Sequence, residues 1–173
     1  FGDGAGIYVS DASPLIQGNL ISSNTGYGAG LHVIGSSSSP RIINNVIARI
    51  VEGGINCAGS AKPRIINNTI SDNTGDGIFI SSSTPDSIIN NIISLNSDYG
   101  IYESSTTSDP GKVWYNSFYA NGSGLYRDEG TTDYYTVSSL NASVAECKNN
   151  IEGDPLFVDR VNGNYNLRSG SPA

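Results

Sequence analysis

The side chains able to do chemistry in this sequence are few, and most are carboxylates. Glycoside hydrolysis needs two carboxyl groups placed across one glycosidic bond. Asp76, Asp98, Glu103, Asp128, Glu129 and Asp133 are the supply, and none recurs at a spacing that fixes such a pair. Proton abstraction from a uronic sugar needs a base beside a cation that neutralises the sugar carboxylate. Arg41, Lys62 and Arg64 offer the base, but both arginines directly follow a proline and read as solvated charges where strands begin. The run 127–134 carries Asp128, Glu129 and Asp133, a calcium ligand set at a spacing unlike an EF-hand. No other metal and no organic cofactor is called for. His32 is the one histidine, and nothing places it beside Cys57 or Cys147, so no nucleophile–base pair is specified.

What must position these residues is a repeat. Gly-Ile or Gly-Leu recurs at 6–7, 30–31, 54–55, 77–78, 100–101 and 124–125, with spacings of 24, 24, 23, 23 and 24. In phase with it runs an apolar residue followed three positions later by Asn: Ile16/Asn19, Ile42/Asn45, Ile65/Asn68, Ile88/Asn91, Val113/Asn116 and Cys147/Asn150. The last interval is 34, so about ten residues are inserted near 127–145. A third signal follows at Asn24, Asn73, Asn96 and Asn121, broken once by Ile50. Short β-branched runs alternate with Asn, Gly and Ser clusters that tolerate left-handed turns. Three short strands and three turns use about 23–24 residues, and stacking such coils pairs each strand with the next. The sequence therefore predicts an all-β, right-handed parallel β-helix of six to seven coils. It spans 1–173 as one domain, with an insertion loop near 127–145 and a closing segment at 150–173.

Equivalent positions then form columns about 4.8 Å apart. Ile7, Leu31, Ile55, Ile78, Ile101 and Leu125 form one inward column. Val9, Val33, Cys57 and Ile80 form a second, which Glu103 and Arg127 break. Ile16, Ile42, Ile65, Ile88, Val113 and Cys147 form a third. The cysteines lie about three coils apart, roughly 14 Å, beyond disulfide reach, and predict two buried free thiols. The column Asn19, Asn45, Asn68, Asn91 and Asn116 predicts an amide ladder, each side chain donating one way and accepting the other. Between the first two apolar columns runs an outward one: Tyr8, His32, Asn56, Phe79, Tyr102 and Tyr126. It fits two readings, ordinary packing of rings on an exposed sheet and a platform for the apolar faces of sugars.

Composition sets the outer limits. The 173 residues include 26 Ser, 19 Asn, 21 Gly and 20 Ile, which argues against a helical bundle. A net charge of −7 with nine scattered Lys and Arg argues against nucleic acid as a partner. No apolar run approaches the length of a membrane-spanning helix, which argues against membrane insertion. The chain begins with Phe1 and contains no Met, so it reads as a piece of something longer.

The units Ser39-Pro40-Arg41-Ile42-Ile43-Asn44-Asn45-Val46-Ile47 and Lys62-Pro63-Arg64-Ile65-Ile66-Asn67-Asn68-Thr69-Ile70 resemble the repeats of the pectin-lyase-like superfamily. Asn150 to Asp159, with Asn164 to Ala173, resembles the closing segment of secreted bacterial and archaeal β-helix proteins. The resemblance implies a secreted or cell-surface location, and an outward sheet face that floors a substrate groove. Asn73-Thr74-Gly75-Asp76-Gly77 is similar to the Asn-Thr-Asp segment of polygalacturonases, but a Gly displaces the Asp and the partner motifs are absent. Asp109-Pro110 and Asp154-Pro155 lack the His that follows in the epimerase signature. The leading expectation is a structural or carbohydrate-binding module without catalysis in this chain, binding polysaccharide through the outward column. The alternative is a polysaccharide lyase, hydrolase or epimerase using Glu103, Arg127 and Asp128. A third reading is an architectural spacer of an envelope or adhesin protein. Open solenoid edges also predict end-to-end association with another β-helix.

Overall fold

The computed structural model describes residues 6–25 and 28–173. Three parallel sheets run along a right-handed β-helix. Sheet A stacks β1 (Ile7–Ser10), β4 (Leu31–Ile34), β7 (Ile55–Ala58), β10 (Ile78–Ser81), β13 (Tyr99–Glu103) and β16 (Gly124–Asp128). Sheet B stacks β2 (Leu15–Gln17), β5 (Arg41–Ile43), β8 (Arg64–Ile66), β11 (Ser87–Ile89), β14 (Val113–Trp114) and β18 (Cys147–Lys148). Sheet C stacks β3 (Leu20–Ser22), β6 (Val46–Ala48), β9 (Thr69–Ser71), β12 (Ile92–Ser94), β15 (Ser117–Tyr119) and β19 (Ile151–Glu152). The first five coils are regular; the sixth is interrupted between sheets A and B.

The repeat follows from packing. A Cβ on Gly77 would lie 2.6 Å from the Gly100 carbonyl and 2.8 Å from Ile93 Cγ2, so only glycine lets the coils close up at this corner. Each turn from sheet B to sheet C bends at one left-handed residue: Gly18, Asn44, Asn67, Asn90, Tyr115 and Asn149. The next residue is the ladder asparagine. Each Oδ1 accepts from the backbone N–H and the Nδ2 of the asparagine one coil earlier, as Asn91 does from Asn68 at 2.9 and 3.0 Å. The ladder runs from Asn19 through Asn150.

The insertion is a cap. β17 (Thr132–Tyr134) turns back antiparallel on β16. Helix α1 (Val137–Ser143), N-capped by Thr136, then buries Leu140 against the last coil. Asn141 of α1 finishes the amide ladder, accepting from Asn150 N and Nδ2 at 3.2 and 2.9 Å. The closing segment folds back as a hairpin, β20 (Phe157–Asp159) with β21 (Asn164–Leu167), whose Phe157 and Tyr165 cover Ala48, Val46 and Ile92. Tyr165 Oη donates to Asp72 at 3.0 Å, and Arg160 pairs with the same carboxylate.

The inward columns hold as expected through coil five, and both cysteines are buried free thiols. Two columns are corrected in coil six, where Arg127 also leaves the second inward column for the outer face. Ile101 is followed by Tyr126, not Leu125, because coil five carries an extra residue and Leu125 stacks on Gly100. Leu125 is still buried, from that corner position.

Candidate functional site

The same one-residue shift rewrites the outer face of sheet A. The register there is Tyr8, His32, Asn56, Phe79, Tyr102, then Arg127. Tyr126, expected on this face, points inward and is fully buried. Alternation of side chains across a strand makes such a swap all-or-none. Tyr8 and His32 meet with ring centres 5.3 Å apart, and Phe79 meets Tyr102 edge-on at 5.2 Å. Tyr99 adds a third ring beside Tyr102 at 5.7 Å. The Arg127 guanidinium lies 5.5 Å from the centres of both Tyr99 and Tyr102. It is also committed elsewhere: to Tyr99 Oη at 2.8 Å, to the Gly130 carbonyl at 2.9 Å, and to Asp133 at 3.4 Å. Arg127 therefore terminates the aromatic row as a fixed, neutralised cation rather than a free one.

Alongside this row lies a groove of about 350 Å³, lined by Asn56 and Phe79 and by three carboxylates, Glu52, Asp76 and Asp98. They sit where sheet C passes to sheet A, held by inter-coil bonds: Gly75 N–H donates to the Glu52 carbonyl and Asp98 N–H to the Gly75 carbonyl. Asp76 Oδ1 accepts the Tyr99 N–H at 2.9 Å. Burial pushes the Asp76 carboxyl up to about 6, and the Asp98 charge adds to that while Arg127 opposes it. Of these acids, Asp76 and Asp98 are visible in the sequence as loop carboxylates. Glu52 was missed; its signal is its place one residue before the Gly53-Gly54 corner.

The residues expected to act together as Glu103, Arg127 and Asp128 are not assembled. Glu103 follows Ile80 in the inward column and is fully buried. Its carboxyl is pushed up to about 9, first by burial and then by the charges of Glu146 and Asp128. Tyr126 Oη donates to Glu103 Oε1. Asp128 and Glu146 approach the same point, with oxygens of all three within 4.8 Å of one another. Arg127 lies on the opposite face. Nor do Asp128, Glu129 and Asp133 form one group: the hairpin sets Asp133 opposite Arg127, and Glu129 is exposed. Glu146 lay outside every repeat signal, which is why the sequence did not reveal it. Arg64 is an exposed partner of Asp86 and Arg41 is exposed, as expected of charges where strands begin.

The fold defines a parallel β-helix protein of the kind expected from the repeats. The sequence profile of the family described as periplasmic copper-binding protein (NosD) matches residues 2–166, and the chain belongs to that family. No curated protein and no solved structure matches it. The periplasmic setting of the family agrees with a secreted or cell-surface location, and among the described residues no helix is long and apolar enough to cross a membrane. The donors present do not fit a copper site of imidazole and sulfur ligands. There is no methionine. Cys57 is buried inward while His32 stands in the adjacent outward row, so the sheet separates them. Cys147 belongs to sheet B. Among the described residues, the one group of three His, Cys, Asp or Glu side chains close enough to share an ion is Glu103, Asp128 and Glu146, all oxygen donors.

Proposed function

We propose that this chain is an extracytoplasmic β-helix module that binds carbohydrate on the outer face of sheet A. The observation that carries the reading is the ring cluster Phe79, Tyr102 and Tyr99, adjoining a groove that offers Asn56, Asp76 and Asp98. Ring faces stack on the apolar faces of sugars, and carboxylates and amides accept and donate to hydroxyls. Strands spaced about 4.8 Å apart present such groups at close to the rise of one sugar along an extended chain. The rigid solenoid holds the face without further ordering cost. The copper of the family description is not carried to this chain, because its donor set is missing.

The test is native affinity electrophoresis through gels containing neutral or uronic-acid polysaccharides. Phe79→Ala with Tyr102→Ala should abolish retardation while leaving the circular dichroism unchanged. Retardation equal to that of the parent chain would remove the site assignment. One specific observation favours a second reading, a polysaccharide-cleaving enzyme: Asp76, raised to about 6, shares the groove with Asp98. A carboxyl group held above its ordinary range beside a second carboxyl group is the pairing that glycoside hydrolysis uses. Clearing of the gel, lost in Asp76→Asn, would select that reading.

A further inference from the structure

A carboxylate removed from water needs a counter-charge or a proton. Glu103, Asp128 and Glu146 converge where β13, β16 and the approach to β18 meet, at the base of the cap. The ion pairs among the described residues are Arg64–Asp86, Arg127–Asp133 and Arg160–Asp72, and none reaches this cluster. Crowded acids alone make no site. The second observation is Glu103 itself. Its side chain is fully buried, and Tyr126 Oη holds Oε1. Its other oxygen, Oε2, is buried with no N–H or hydroxyl group donating to it, in a carboxyl group that faces the other two. An outer group that fixes one oxygen and leaves the other directed at further acids is how a protein orients a metal ligand.

The donors are all carboxylate oxygens, the set that selects hard divalent cations over copper. Asp128 and Glu146 are partly exposed, which gives a path in and leaves room for water ligands. That suits calcium, whose shell is large and irregular, better than magnesium. We propose that Glu103, Asp128 and Glu146 form a calcium-class site that ties the cap, from β16 through α1 to β18, onto coil five.

The experiment uses the full chain after dialysis against a chelator. Terbium, a luminescent substitute for calcium, is titrated with excitation of tyrosine, since Tyr126 stands in contact with Glu103. One saturable site is expected, emptied by calcium, and calcium should raise the melting temperature of the chelated protein. Glu146→Gln alters a partly exposed side chain, so the fold should survive; it should weaken terbium by about 10-fold or more, as should Asp128→Asn. Asp86→Asn, which removes an exposed carboxylate paired with Arg64, should leave terbium affinity unchanged. Emission that does not saturate, that calcium does not displace, or that is equal in Glu146→Gln would overturn the proposal. So would a melting temperature indifferent to calcium.

Discussion

Replacing Asn91 by alanine tests what holds the coils in register. Asn91 Oδ1 accepts from Asn68 N at 2.9 Å and Asn68 Nδ2 at 3.0 Å. Its Nδ2 donates to the Ile65 carbonyl and to Asn116 Oδ1, both at 3.0 Å. All four bonds are buried. At roughly 1 kcal/mol net each they contribute about 4 kcal/mol, and stranding the Asn68 N–H and the Ile65 carbonyl adds a further 1–3 kcal/mol or so. Asn91→Ala should therefore cost about 5–7 kcal/mol. Asn19 is the internal control, because it is exposed and its side chain donates to Gln17 O at 3.2 Å and Asn45 Oδ1 at 3.0 Å. Asn19→Ala should cost about 1 kcal/mol or less. Urea unfolding followed by Trp114 fluorescence reads the neighbouring rung. With a slope of about 2 kcal/mol per molar, the two midpoints should differ by about 2–3 M. Midpoints within about 0.5 M of each other would refute the ladder as the source of register stability.

Two further outcomes follow from burial. Asp76 is raised from 3.8 to about 6, so between those values the folded chain holds a proton that the unfolded chain has lost. Stability should fall as pH rises through that window and stay at the lower level above it, by about 1–3 kcal/mol. In Asp76→Asn this component should vanish, raising the melting temperature at pH 7.5 relative to the parent but not at pH 4; parallel profiles would count against it. Burial also pushes the Cys57 thiol up to about 12 and raises Cys147. Neither should react with a thiol reagent at pH 8 until the protein unfolds, and rapid labelling of the native chain would contradict the packing of both columns.

The fold was legible because steric closure writes it into the spacing. Gly54, Gly77 and Gly100 recur since a Cβ at each would strike the carbonyl of the next coil, and the ladder asparagines recur since each must meet the one before. The chemistry was less legible for a related reason. In a strand, one residue of phase exchanges inside for outside. The Gly124-Leu125 pair copies the Gly-Ile signal but sits one residue out of step with it, and following it turned Tyr126 outward and set Arg127 in the inward column. A better ruler was present in the same sequence. Asn91 to Asn116 and Asn96 to Asn121 each span 25 residues, whereas Asn68 to Asn91 spans 23. The bonded ladder cannot slip without losing buried hydrogen bonds, while a glycine can occur beside its column at no such cost. Phase taken from the ladder places Ile101 below Tyr126 and Tyr102 below Arg127. It also leaves Glu103 facing the core beside Asp128. The same ruler fixes the backbone of Glu146, one residue before Cys147, where its carbonyl accepts the Val113 N–H; the columns do not give its side chain's approach to Asp128, because the inserted cap lies between those two residues in the chain.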